Sequence, residues 1–100
     1  MHADRIFDAL ASGPRREMLR HLAQGELTTS ELAARFTMST PAVSRHLSVL
    51  ETAGLVASRR EGQRVLYALV RDTLMEALSG FAHEFGREAA APPKKRRDAI

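Results

Sequence analysis

Four short hydroxyl side chains surround one arginine between residues 39 and 48. At about 100° per residue on a helix, Arg45 and Ser48 lie opposite an apolar stripe of Val43, Leu47 and Leu50. Small polar residues let a helix approach a DNA major groove closely, and an arginine there can reach guanine or phosphate. The alternative is the solvated face of an ordinary helix. The residues predicted to contact DNA from this helix are Ser39, Thr40, Pro41, Ala42, Ser44, Arg45 and Ser48.

A second candidate DNA-binding cluster consists of three arginines and a glutamine. Two extended segments flank a turn at Gly62, which predicts a β-hairpin over residues 55–70. Cations at the tip of such a hairpin would contact a minor groove or its phosphates and supply salt-dependent affinity. Alternatively, these charges only keep the edge of the hairpin soluble. The candidate residues at the tip are Arg59, Arg60, Gln63 and Arg64.

The first cluster needs a helix with defined ends, and the sequence supplies both. Ser39 or Thr40 can cap the N-terminus, and Pro41 suits the first turn, where a missing N–H costs nothing. Gly54 supplies a left-handed stop, so the helix is predicted over residues 40–53. The other predicted helices cover residues 2–11, 14–24, 29–36 and 72–88.

Several local pairings are also predicted. Thr28 and Glu31 have the spacing of a capping box at the start of the third helix. We expect His46, on the flank of an apolar stripe, to pack with a ring hydrogen bond rather than to bind a ligand, with a phosphate contact left open. Contact with DNA phosphate is left open for three arginines of the second helix, of which we expect at least one to pair with an acid such as Glu17. These are Arg15, Arg16 and Arg20.

The last predicted helix carries an apolar stripe that is wide for a terminal helix. Phe81 and Phe85 on this stripe would be costly to leave in water. We therefore expect the first and last helices of two subunits to pack together. The predicted dimer interface consists of Ile6, Phe7, Leu10, Leu74, Leu78, Phe81 and Phe85.

The predicted order of four helices, two strands and a helix is mainly α with a small β-hairpin, which is a winged helix-turn-helix. Residues 8–22, 27–36 and 39–56 resemble the ArsR/SmtB repressors, in particular the metal-independent, SdpR-like autorepressor branch. The most specific part reads Ala-Val-Ser-Arg-His-Leu and, further on, Ala-Gly-Leu-Val. The resemblance covers about residues 8–88. One departure is Ser-Gly-Pro at residues 12–14, where the branch usually has Asp-Pro-Thr.

This resemblance implies a homodimeric transcriptional repressor that binds an inverted repeat in double-stranded DNA, often at its own promoter. Residues 1–88 would form the DNA-binding and dimerisation domain, and residues 89–100 a disordered basic tail. Two alternatives remain open. The chain could be a winged-helix protein-interaction module, or a repressor released by an unidentified small molecule at the dimer interface. No sequence feature indicates a particular small-molecule ligand.

Metal sensing, which many ArsR/SmtB relatives perform, is not expected here. The chain has no cysteine, and Thr28, Thr29 and Ser30 occupy the positions of the thiolate ligands that the resemblance implies. The residues at the family's other zinc site are Asp72, Leu74, Phe85 and Glu88. Two of these four are apolar and cannot ligate a transition metal. Neither a metal site nor another cofactor is therefore predicted.

The charge distribution and the absence of catalytic patterns limit the remaining function classes. The net charge is +3, and removing the four cations at residues 94–97 leaves −1, so overall charge is weak support for DNA binding. No glycine-rich phosphate loop or nucleophile–base pair occurs, since Ser44 and His46 face different directions on a helix, and no enzyme is predicted. No apolar run of about 18 residues predicts a membrane span or signal peptide, so a cytoplasmic location is expected.

Overall fold

The structure, a computed structural model, describes residues 2–86. The predicted basic tail at residues 89–100 and the last residues of the predicted final helix lie outside this range. The described chain is mainly helical with a small sheet, as predicted. In chain order its elements are α1 (His2–Leu10), α2 (Gly13–Leu22), β1 (Leu27–Thr28), α3 (Thr29–Ala33), α4 (Thr40–Thr52), β2 (Val56–Glu61), β3 (Arg64–Leu69) and α5 (Arg71–His83).

The sheet has three antiparallel strands rather than the two of the predicted hairpin. β3 lies in the centre, in the order β1-β3-β2. β1 adds the pairs Leu27 with Tyr67 and Thr28 with Leu66. A strand of two residues is too short to show alternation, so the sequence pattern does not predict it. This third strand fastens the hairpin to the residues that start α3.

Every helix ends earlier than predicted, and α3 and α5 do so by three residues or more. α3 ends at Ala33 rather than at residue 36, and Phe36 packs against the core from the following turn. The helical spacing of apolar residues therefore continues to Phe36, although the backbone is no longer helical there. α5 ends at His83 rather than at residue 88, and Gly86 adopts a φ of +77° in the turn that follows. Glycine tolerates this left-handed conformation, which is typical of a helix end.

Side-chain caps fix the starts of three helices. Ser12 Oγ accepts from the backbone N–H of Arg15 at 3.3 Å, so serine begins α2 in place of the aspartate that the resemblance implies. The capping box is confirmed, because Thr28 Oγ1 accepts from the N–H of Glu31 at 3.1 Å and Glu31 Oε1 accepts from the N–H of Thr28 at 2.8 Å. Ser39 caps α4, accepting at 3.3 Å from the third amide of that helix.

The hydrophobic core lies beneath α4. Val43, Leu47 and Leu50 are fully buried and form the inner face of the helix, as predicted. Burial of each such side chain contributes roughly 1.5–3 kcal/mol to stability. The buried residues around them come from α1, α2, α3, the turn after α4 and the start of β2, and are Ile6, Ala9, Met18, Leu19, Leu22, Leu32, Ala53, Leu55 and Val56. α4 is thus held on a rigid base that fixes the direction of its outer face.

Candidate nucleic-acid interface

The outer face of α4 is exposed along its length. Ser44, Arg45 and Ser48 are all exposed, and within residues 2–86 their side chains have no hydrogen-bond or ion-pair partner. Thr40 and Pro41 are also exposed at the start of the helix. The other two predicted contacts differ, since Ala42 is half-buried and the Ser39 hydroxyl accepts the capping hydrogen bond. The structure therefore brings five of the seven predicted residues together on one unobstructed polar surface.

Arg15 and His46 form a contact between the end of α1, α2 and the flank of α4. Arg15 donates to the carbonyl oxygens of Ala9 at 2.7 Å and Asp8 at 3.2 Å, and its Nη1 lies 3.3 Å from Nδ1 of His46. Arginine can only donate, so His46 Nδ1 accepts and the ring is neutral with its proton on Nε2. Burial, with Arg15 and Arg45 nearby, lowers the pKa of His46. The predicted packing role of His46, with a ring hydrogen bond, is confirmed.

The three arginines of α2 make contacts within the protein. Arg20 pairs with Glu17 at 2.6 Å, as predicted, and Arg16 donates to the carbonyl of Leu10 at 2.8 Å. Arg15 is occupied by the carbonyls at the end of α1. The bonds of Arg15 and Arg16 connect α2 to the end of α1, whereas the Arg20 pair lies within α2. Phosphate contact by this group stays a prediction.

Acidification is expected to weaken the fold through His46. Because its pKa is lowered in the folded state, the unfolded chain binds more protons below the ordinary value of about 6.5. The contribution of His46 to the free energy of unfolding is therefore fully present above about pH 6.5. It is lost as the pH drops towards the pKa that His46 has in the folded state. His46→Gln keeps an acceptor for Arg15 and removes the titration. Denaturant unfolding followed by circular dichroism should show the wild type losing stability relative to this variant between about pH 7 and about pH 5, whereas a constant difference would contradict the prediction.

The hairpin places acids beside two of its three arginines. Arg59 donates to Glu26 at 2.7 and 3.3 Å and lies 3.5 Å from Glu61. Arg64 pairs with the same Glu61 at 3.1 Å. The hydrogen bond from Arg59 lowers the pKa of Glu26, and Glu26 in turn raises the pKa of Arg59. Arg60 has no such partner among the described residues.

Sequence reasoning missed these acids as parts of the hairpin. Glu61 stands three residues before Arg64, and this spacing was visible in the sequence. Glu26 is 33 residues from Arg59, and only the pairing of β1 with β3 brings the two together. Gln63 is exposed beside Gly62, which has a φ of +64° in the turn. The predicted tip is therefore present, but two of its cations already have anionic partners.

An apolar surface lies where α1 meets α5. Phe7 and Phe81 pack edge to face with ring centres 5.2 Å apart, and Phe81 and Phe85 repeat this arrangement at 5.1 Å. Leu78 is 41% exposed, Phe81 49% and Phe85 69%. Met75, on the same side of α5 and 59% exposed, extends this surface beyond the predicted residues. Its helical spacing from Leu78 was the available signal.

The remaining residues predicted for the dimer interface lie mainly within the protomer. Ile6 is only 7% exposed and belongs to the core. Leu10 and Leu74 are partly buried and pack against the same core. These three support the apolar surface from below, whereas the exposed part consists of Met75, Leu78, Phe81 and Phe85.

Neither a metal cluster nor a membrane-spanning helix is found in residues 2–86. No group of three histidines, aspartates or glutamates there could hold a metal ion. No helix in this part of the chain is long and apolar enough to cross a bilayer.

The elements around this interface define a winged helix-turn-helix protein. α3 and α4 form the helix-turn-helix, α4 has the position that is called the recognition helix in this fold, and the β2–β3 hairpin has the position of the wing. The sequence pattern of the bacterial regulatory proteins of the arsR family matches residues 12–58. The chain belongs to the ArsR family. This confirms the resemblance seen in the sequence.

Named relatives and solved structures agree with this assignment. HTH-type transcriptional regulator Rv2034 of Mycobacterium tuberculosis is 50% identical over 66 residues, which cover 66% of this chain and 62% of that protein, less than two thirds of its length. Transcriptional repressor SdpR of Bacillus subtilis is 31% identical, and the matched region covers 74% of this chain and 82% of the SdpR chain. The solution structure of Mb0332 from Mycobacterium bovis, a homodimeric winged helix-turn-helix DNA-binding domain, is 31% identical with a TM-score of 0.71, covering 90% of this chain and 82% of that one.

Proposed function

We propose that this chain is a homodimeric repressor that binds an inverted-repeat DNA operator in the major groove. One observation carries the proposal: the inner face of α4 is fully buried, while Ser44, Arg45 and Ser48 on its outer face are exposed and unpaired within residues 2–86. Buried polar groups find partners within a fold, whereas a row of free donors on a fixed helix is available for base edges and phosphates.

Each side chain has a distinct role in this proposal. Arg45 donates two hydrogen bonds to O6 and N7 of a guanine, which is the commonest specific contact in the major groove. Ser44 and Ser48 are short enough for close approach and donate to bases or phosphates. Thr40 and Pro41 lie at the N-terminus of α4, where the helix dipole favours the DNA backbone.

Dimerisation would use the apolar surface of α5 together with Phe7 of α1. The exposed phenylalanines and leucine form an apolar patch that is costly to leave in water. A two-fold axis would place the same surface of a second copy against this patch. Two recognition helices about 34 Å apart would then enter successive major grooves on one side of the DNA. Residues 1–88 would supply both functions, and the basic residues 94–97 would add sequence-independent affinity.

Repression would follow because the bound dimer occupies a promoter, and such a protein acts in the cytoplasm, where bacterial DNA lies.

Selection of bound sequences from random duplex DNA tests the proposed DNA recognition with the full chain. We expect an inverted repeat whose half-sites are about one helical turn, or a multiple of it, apart. Light scattering should show a dimer. Dimers that select no sequence would contradict DNA recognition and favour the alternative of a protein-interaction module.

A further inference from the structure

The two faces of β2 differ in what their side chains contact. Alternation along a strand puts Ser58 and Arg60 on one face and Arg59 and Glu61 on the other. Ser58 Oγ donates to Oε2 of Glu51 on α4 at 2.8 Å. The face that carries Arg60 is therefore the one turned towards the recognition helix.

Arg59 is held across the other face of the sheet. The register places Leu66 of the central strand between Arg59 on β2 and Thr28 on β1. To reach Glu26, which comes just before β1, the side chain of Arg59 has to cross the face of the central strand that carries Leu66. Leu66 is only 8% exposed. The aliphatic stem of an arginine covers apolar surface in this way while its head stays hydrated.

The charges on the Arg59 face cancel one another. Arg59 and Arg64 are matched by Glu26 and Glu61, with contacts of 2.7 to 3.5 Å. Arg60 on the opposite face has no anionic partner within residues 2–86. The wing therefore offers DNA one uncompensated cation per subunit rather than three.

We infer that Arg60 is the phosphate-binding residue of the wing and that Arg59 is a positioning residue that fixes the wing to the sheet. The inference rests on the proposed function and assigns different roles to Arg59 and Arg60, which the sequence alone does not distinguish. If Arg59 left Glu26 to bind a phosphate, the Glu26 carboxylate would remain near the DNA without a cationic partner. Such an exchange adds no net positive charge to the interface, so it releases few counterions.

Salt-dependent binding to non-specific DNA separates the two roles, because phosphate contacts need no operator sequence. The probe is a fluorescein-labelled duplex of about 30 base pairs, roughly three helical turns. Anisotropy is measured from about 50 to about 200 mM salt. Arg60→Ala should flatten the slope of log K against log salt by about 0.9 per wing, or about 1.8 per dimer. Arg59→Ala should keep the slope and lower the thermal unfolding midpoint, because Leu66 becomes exposed.

Two controls make the result specific. Arg60→Lys keeps the charge and should keep the slope, with an unfolding midpoint equal to that of Arg60→Ala. NMR titration of Glu26 without DNA should give a carboxyl pKa below its ordinary value in the wild type and a return towards that value in Arg59→Ala. An ordinary pKa in the wild type would show that the ion pair is absent in solution and would overturn the positioning role.

The possible failures are distinguishable. Equal flattening by Arg59→Ala and Arg60→Ala would overturn this division of roles and leave DNA binding intact. An unchanged slope in Arg60→Ala would overturn the phosphate contact. A wild-type protein that does not bind the duplex at all would contradict the proposed function itself and, with it, the role of Arg60.

Discussion

Replacing Arg45 by alanine is expected to abolish most operator recognition while leaving the fold unchanged. A bidentate arginine–guanine contact is worth about 1–3 kcal/mol, and a dimer makes two of them. The affinity for the selected operator should therefore fall between about 30-fold and about 10⁴-fold. Arg45 is exposed and has no hydrogen-bond or ion-pair partner among residues 2–86, so the free energy of unfolding should change by less than about 0.5 kcal/mol.

Arg45→Lys serves as the matched control for charge. Lysine keeps the cation but lacks the planar fork that matches guanine, so it should recover phosphate attraction without recovering sequence preference. Ser44→Ala tests the neighbouring position on the same face. Gel-shift titrations against the operator and a scrambled duplex measure both affinity and preference. If Arg45→Ala and Ser44→Ala each retained both, the assignment of the outer face of α4 as the reading surface would be wrong.

The recognition helix was largely predictable because its determinants are local. A serine cap, a proline in the first turn and a glycine stop lie within the segment they delimit. The spacing of Val43, Leu47 and Leu50 sets the buried face, and the opposite face follows from helix geometry alone. Nothing distant is needed to decide which side chains point outwards.

The pairing of Arg59 with Glu26 could not be predicted, because the two residues are distant in sequence. Arg59 and Arg60 are adjacent and chemically identical, yet strand alternation sends them to opposite faces. Only the pairing of β1 with β3 shows that Glu26 lies on the same face as Arg59. The two-residue strand that makes this pairing is too short for any periodicity to indicate it.

An exposed apolar surface at α1 and α5 was predictable from the sequence, but the sequence did not show which apolar residues are exposed there and which are buried. Helical period groups Ile6, Phe7 and Leu10 on α1 because all are apolar on one side. The period does not say which part of that side faces the protomer core and which part faces outwards. Packing of α1 against α2 and α4 buries Ile6, whereas Phe7 is left to meet Phe81 of α5. The division between core and surface is therefore a tertiary property.

Introducing a carboxylate at Leu78 is expected to split the dimer into folded monomers. Burying a leucine contributes about 1.5–3 kcal/mol, and two half-exposed copies together supply roughly that amount to association. Leu78→Glu should therefore weaken dimerisation by about tenfold to 100-fold through lost burial alone. Desolvation and mutual repulsion of two carboxylates near a two-fold axis add to this loss. Analytical ultracentrifugation measures the dissociation constant.

His83→Glu is the matched control, because it adds the same charge to the exposed surface of α5 about 140° around the helix from Leu78. It should remain dimeric and bind the operator like the wild type. In Leu78→Glu, half-site binding becomes independent, so operator affinity should fall as dimers disappear, while circular dichroism still reports a folded protomer. A dimer that tolerates Glu at residue 78 as well as at residue 83 would mean that this surface is not the interface, and that the spacing of the two recognition helices is set elsewhere.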